Sequence, residues 1–86
     1  MTYELQFHPD ALKEWKKLNE QTRSQFKKKL GERLKNPHVP SAKLSGHNNR
    51  YKIKLHSVGY RLVYEVNDNA LLVIVVAIGK RERNQA

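Results

Sequence analysis

Cysteine is absent from the 86 residues, which excludes a disulfide framework and any thiolate metal site and accords with a reducing compartment. Long apolar runs are absent too. The longest, Ala70 to Ile78, is far shorter than the ~20 residues a membrane-crossing helix needs. The chain opens directly on Tyr3-Glu4-Leu5-Gln6-Phe7 instead of a charged-then-apolar leader. A cytoplasmic protein without a membrane partner is the expectation. Acidic residues are scarce: eight Asp and Glu stand against seventeen Lys and Arg, a net charge of +9. Such an excess calls for a polyanionic partner, either nucleic acid or an acidic protein. No internal repeat, linker or low-complexity segment divides the chain, so residues 1–86 are read as one domain.

The usual catalytic constellations are also missing. His8, His38, His47 and His56 match no metal-ligand spacing and have no cysteine beside them, so no metal and no cofactor is expected. No serine nucleophile or paired-carboxylate arrangement stands out.

What the chain does contain is regular patterning. Tyr3, Leu5 and Phe7 alternate with polar residues as in a short strand, and His8-Pro9-Asp10 suits a helix start. A first helix is predicted to about Leu18, with Leu12, Trp15 and Leu18 on its buried stripe. Asn19-Glu20 turns into a second helix with Phe26, Leu30 and Leu34 inward, ended by Pro37. The outer faces of this αα-hairpin hold Lys13, Lys16, Lys17, Lys27, Lys28, Lys29, Arg33 and Lys35, which on composition alone read as a solvated surface. His38 to Asn49 reads as a loop. A meander follows: Arg50 to Leu55, a turn at Ser57-Val58-Gly59, Tyr60 onward, a turn at Asn67-Asp68-Asn69, then Ala70 to Ile78, apolar on both faces like a covered central strand. The order β-α-α-β-β-β predicts an α+β fold with an antiparallel sheet packed against the αα-hairpin.

Alternation in the first hairpin sends Tyr51, Ile53, Leu55, Leu62 and Tyr64 to one face and Lys52, Lys54 and Arg61 to the other. Like charges that neighbour one another on a sheet repel, so solubility does not call for this crowding. A phosphodiester does, because cleaving it requires rigidly held positive charge. RNA cleavage removes a proton from the 2′-OH, stabilises charge on the phosphoryl oxygens and protonates the leaving oxygen. Crowding favours the neutral amine of a lysine, which can act as base. Arg61 stays charged and suits the pentacovalent phosphate, and Arg81, just past the last strand, would bring charge from a second direction. Glu65 shares the parity of Arg61 and is either a general base or, the favoured account, half of an ion pair with a neighbouring lysine.

The blocks Ala11-Leu12-Lys13-Glu14-Trp15, Lys27-Lys28-Lys29-Leu30, Lys43-Leu44, Tyr51-Lys52-Ile53-Lys54-Leu55, Gly59-Tyr60-Arg61-Leu62-Val63-Tyr64 and Gly79-Lys80-Arg81-Glu82-Arg83 resemble the RelE family of bacterial toxin-antitoxin toxins over essentially the whole chain. The resemblance implies a microbial-ribonuclease-like fold and a metal-independent endoribonuclease that cuts messenger RNA in the ribosomal A site, after the second nucleotide of the codon. It implies a RelB-like antitoxin that inhibits the toxin and joins it in repressing their operon, with operator DNA bound only through that complex. By position the family's catalytic cations fall on Lys52, Lys54, Arg61 and Arg81, and Lys13, Lys17, Lys27 and Lys28 become candidates for docking on ribosomal RNA of the 70S ribosome. Two departures stand out. Ser45 occupies a loop position near which relatives carry arginine, and the sequence stops at Gln85-Ala86 where RelE proteins continue into a tyrosine implicated in catalysis or base stacking and a C-terminal helix. The expectation is a domain without that helix and with reduced activity. The alternatives are a non-cleaving module that binds ribosome or antitoxin, and a gyrase inhibitor of the related ParE type, whose action gives no reason for phosphate-directed cations on the sheet.

Overall fold

Local signals start each element of the computed structural model, which describes residues 2–80. In β1 (Glu4–Phe7) Leu5 and Phe7 turn inward while Glu4 and Gln6 stay exposed. His8 then caps α1 (Pro9–Lys17): its Nδ1 accepts the Asp10 amide at 3.2 Å, and Pro9, which has no N–H to leave unsatisfied, fills the first turn. The inner stripe of α1 differs from the expected one. Leu12 is 37% exposed and Ala11 is buried in its place. The reason is helical period: Ala11, Trp15 and Leu18 sit at i, i+4 and i+7, whereas a stripe through Leu12, Trp15 and Leu18 drifts around the helix.

Arg23 reaches back to the Lys16 and Leu18 carbonyls at the end of α1. Asn19 opens α2 (Glu20–Lys35) by accepting the Thr22 amide at 2.8 Å. Thr22, Phe26 and Leu30 are buried and Leu34 is partly so. Ring contacts of 5.1 Å between Phe7 and Trp15 and 6.4 Å between Trp15 and Phe26 join β1, α1 and α2 into one core. After Pro37 the loop contains a short 3-10 turn, Pro40–Ala42.

The sheet has the order β1-β4-β3-β2, where β2 is Arg50–Leu55, β3 is Tyr60–Asn67 and β4 is Leu72–Lys80. The pairs β2/β3 and β3/β4 are antiparallel, in line with the meander. β1, however, lies parallel to β4, which amends the expectation of an antiparallel sheet. Two helices follow β1, so no hairpin constrains its partner. It joins the edge of β4, whose direction is set by the two preceding turns. Gly59, at φ 71°, closes the first of those turns and donates its amide to the Leu55 carbonyl. Ala70 and Leu71, expected to open the last strand, belong to the second turn, where Asn67 Oδ1 accepts the Ala70 amide.

Among the described residues, helices cover only one face of the sheet. In β4, Val73, Val75 and Ile78 are buried, but Leu72, Ile74 and Val76 are only partly covered and Ala77 is exposed, so the strand is central without being enclosed on both sides. A register shift leaves Val76 as an extra residue, with Val63 opposite Ala77 and Tyr64 opposite Val75. The uncovered face is the one that carries the cations. No helix among the described residues is long and apolar enough to cross a membrane.

Candidate nucleic-acid interface

Along β2 the side chains of Tyr51, Ile53 and Leu55 enter the core, and those of Arg50, Lys52 and Lys54 stand half-buried on the uncovered face. Along β3, Leu62, Tyr64 and Val66 go inward while Arg61, Val63 and Glu65 go outward. Pairing register sets their neighbours. Lys54 lies directly opposite Arg61, Lys52 opposite Val63, and Arg50 opposite Glu65. Toward β4, Arg61 faces Gly79 and Val63 faces Ala77. With small residues on that side, a cleft of about 200 Å³ opens along Arg61, Val63, Ala77, Gly79 and Lys80.

Glu65 forms the expected cross-strand ion pair, but with a different partner. Glu65 contacts Arg50 NH2 at 3.4 Å, an arginine instead of a lysine, because Arg50 is its cross-strand partner. Four residues separate Glu65 from Arg61 on one strand, roughly 13 Å at ~3.3 Å per residue, which removes it from the Lys54/Arg61 pair.

Beneath the cations lies a polar network that patterning did not reveal. Arg33, read as part of the solvated helix face, is instead half-buried and donates to the Tyr64 hydroxyl at 2.9 Å and to the Lys52 carbonyl at 3.3 Å. A signal was present, since Arg33 stands at i+7 from Phe26 and i+3 from Leu30, on the inward stripe. The Tyr64 hydroxyl donates onward to the Pro37 carbonyl at 2.8 Å, and its ring stacks on Tyr51 with centroids 5.6 Å apart. Tyr51 meets His38 Nδ1 at 2.9 Å, His38 Nε2 meets Asp68 Oδ1 at 2.9 Å, and the Tyr3 hydroxyl donates to the same carboxylate at 2.6 Å. Strands β2 and β3, helix α2, the turn after β3 and the residue preceding β1 are thereby tied together beneath β2. His38 and His8 thus have structural partners, and among the described residues no group of His, Asp and Glu could hold a metal ion.

The hydroxyl of Tyr3 and, secondarily, His38 hold the Asp68 carboxyl below the ordinary carboxylate range. A lowered folded-state value means that the carboxylate's contribution to stability is complete above the unfolded value of about 4 and is lost as pH falls through the folded one. Asp68→Asn should therefore flatten the acid limb of a melting-temperature profile below about pH 4 and leave its shape near neutrality unchanged. An unaltered acid limb would show that the carboxylate contributes nothing. The Tyr3 phenol is raised by the same hydrogen bond, and that of Tyr64 is raised by burial against an opposing pull from Arg33.

Lys13, Lys17, Lys27 and Lys28 are all exposed on the helices, which pack on the opposite face of the sheet from Lys52, Lys54 and Arg61. The structure therefore separates two basic surfaces. Lys17 is partly occupied by Glu14 at 3.6 Å. Arg81 lies outside the described residues, and Ser45 is exposed in the loop before β2.

Residues 5–85 match the family model described as the ParE toxin of type II toxin-antitoxin systems. A putative RelE-like toxin protein of Escherichia coli is 55% identical over 84 residues, covering 98% of this chain and 88% of the relative. The mRNA interferase toxin RelE of Escherichia coli K12 is 52% identical over 85 residues, covering 99% and 90%. The crystal structure of the isolated Escherichia coli RelE toxin superposes with a TM-score of 0.93 at 51% identity, over 96% of this chain and 88% of that one.

Proposed function

The chain belongs to the ParE-toxin family of type II toxin-antitoxin systems, in its RelE branch, and from that premise we propose that it is a ribosome-dependent endoribonuclease cutting messenger RNA in the A site. The observation that carries the reading is the direct opposition of Lys54 and Arg61, with Lys52 one pleat away, on the sheet face left free by the helices. In this reading the 2′-oxygen attacks the adjacent phosphorus, the 2′ proton passes to a lysine amine, the P–O5′ bond breaks, and the 5′ oxygen takes up a proton. A cyclic phosphate and a 5′-hydroxyl end result. Lys52 and Lys54 assist 2′-OH activation and offset phosphoryl charge, Arg61 stabilises the transition state, and Arg81 acts at the leaving group or on the developing charge. No metal or cofactor enters these steps.

The setting is the cytoplasm, with a RelB-like antitoxin as inhibitor and co-repressor. Support for that partner comes from the RelBE toxin-antitoxin complex of Escherichia coli, to which the chain superposes with a TM-score of 0.90 at 52% identity. Programmed 70S ribosomes, with messenger 5′ ends mapped after addition of the protein and a gyrase supercoiling reaction run alongside, test the reading. New ends after the second A-site nucleotide with supercoiling untouched are expected. Lost supercoiling with intact messenger would establish a ParE-type activity instead.

Lys13, Lys17, Lys27 and Lys28 supply the grip on ribosomal RNA from the other side of the domain. Replacing all four with glutamine should flatten the log–log salt dependence of ribosome binding by about 3 to 4 units. An unchanged slope would leave these lysines as a solvated surface.

A further inference from the structure

We propose that Arg50 is a third phosphate-binding residue of the β2 row, sequestered by Glu65 in the free protein and released to the backbone of a bound RNA strand. The inference rests on the RNA-cleaving reading of the uncovered face and extends the site at one end. Arg50, Lys52 and Lys54 occupy alternate positions of one strand and so emerge on the same side about 6.6 Å apart, given ~3.3 Å per residue. That spacing is close to the step between successive phosphates of an extended single strand. The three cations therefore form a track, where a scattered basic surface would have no such repeat.

The contact that occupies Arg50 is weak enough to yield. It is one N–O approach of 3.4 Å between side chains that are 39% and 34% exposed. A partly exposed single contact of this kind contributes little, whereas a phosphate accepts the guanidinium fork through two donors at once. Past Glu65 the character of the surface changes. An open hollow of about 440 Å³ is lined by Asn49, Glu65, Asn67, Asp68 and Asn69, with carboxylates and amides in place of cations. Arg50 thus borders a hollow lined by two carboxylates and no cation. Glu65, between the two, sets how readily the track extends to its full length.

A simple cross-strand ion pair that only steadies the hairpin makes a different prediction, since loss of either member would then disturb the strand alike and both variants would weaken binding together. The test uses the full chain and a fluorescein-labelled single-stranded oligoribonucleotide, with binding followed by anisotropy across a salt series. Arg50→Gln should weaken binding about fivefold at low salt and make the log–log slope shallower by about 0.7, the increment for one single-strand phosphate. Glu65→Gln should tighten binding about threefold by freeing Arg50. The double variant should match Arg50→Gln, because Glu65 acts through Arg50.

Lys52→Gln serves as the internal reference. If it flattens the slope while Arg50→Gln keeps the wild-type slope, the inference about Arg50 is wrong and the RNA reading of the face stands. If Lys52→Gln and Arg61→Gln also leave binding untouched, the RNA reading itself fails. Equal weakening by Glu65→Gln and Arg50→Gln would mark the pair as structural and overturn the proposal. Should Arg50→Gln melt early, Arg50→Lys keeps the charge without the fork and should retain the slope at reduced affinity.

Discussion

Arg61→Ala should slow single-turnover messenger cleavage on saturating ribosomes by about 10²–10³-fold, the usual loss when one preorganised charge donor is removed from a transition state. Ribosome occupancy should change little by comparison, because the charge that Arg61 opposes is greatest in the pentacovalent species. The fold should survive. Arg61 is exposed on β3, its cross-strand neighbour Lys54 is a like charge, and its other neighbour Gly79 has no side chain to lose contact with. Removing it even relieves repulsion on that face. Arg61→Lys is the informative companion: it keeps the charge but loses the planar fork, and an intermediate rate is expected if geometry matters as well as sign. A rate within twofold of wild type for Arg61→Ala would remove Arg61 from the chemistry and leave the face as an ordinary basic surface.

Legibility in the sequence followed the strength of local constraint. Period-two alternation identified the inward and outward sets of β2 and β3 residue by residue, because a one-residue slip would expose Tyr51, Ile53 and Leu55 together. The helix starts were legible at His8-Pro9-Asp10 and Asn19 because caps are local hydrogen bonds. Information carried by distant partners was less accessible. Parity could put Glu65 on the cationic face, but the register that gives it Arg50 depends on the length of the turn at Gly59. Strand β1 could be recognised as a strand, while its parallel place beside β4 depends on how the whole chain closes. Arg33 was hidden for another reason. A charged residue near the end of a basic helix resembles its neighbours until Tyr64 and the Lys52 carbonyl, brought from far along the chain, appear beside it.

Tyr64→Phe should lower stability by about 1–2 kcal/mol. Tyr64 is fully buried and its hydroxyl has two commitments: it accepts from Arg33 and donates to the Pro37 carbonyl. Phenylalanine keeps the ring, its stacking on Tyr51 and nearly all of the volume, so no cavity forms and the loss is almost purely polar. What remains is a Pro37 carbonyl that keeps only the Val39 amide, 3.1 Å away, and a guanidinium left with the Lys52 carbonyl, so each partner loses one bond without being orphaned. In a domain of this size the melting temperature should fall by roughly 4–16 °C. Tyr3→Phe, at the exposed end of the same chain of contacts, should fall far less, because water can replace its bond to Asp68. Arg33→Met removes the other partner and should be destabilising on its own. The double variant Arg33→Met/Tyr64→Phe should lose clearly less than the sum, since the two share one hydrogen bond. Urea unfolding of wild type and the four variants with a common slope measures all of these. Strict additivity in that cycle, or a Tyr64→Phe midpoint equal to wild type, would mean that the hydroxyl is not what joins α2 to the strands beneath Lys52.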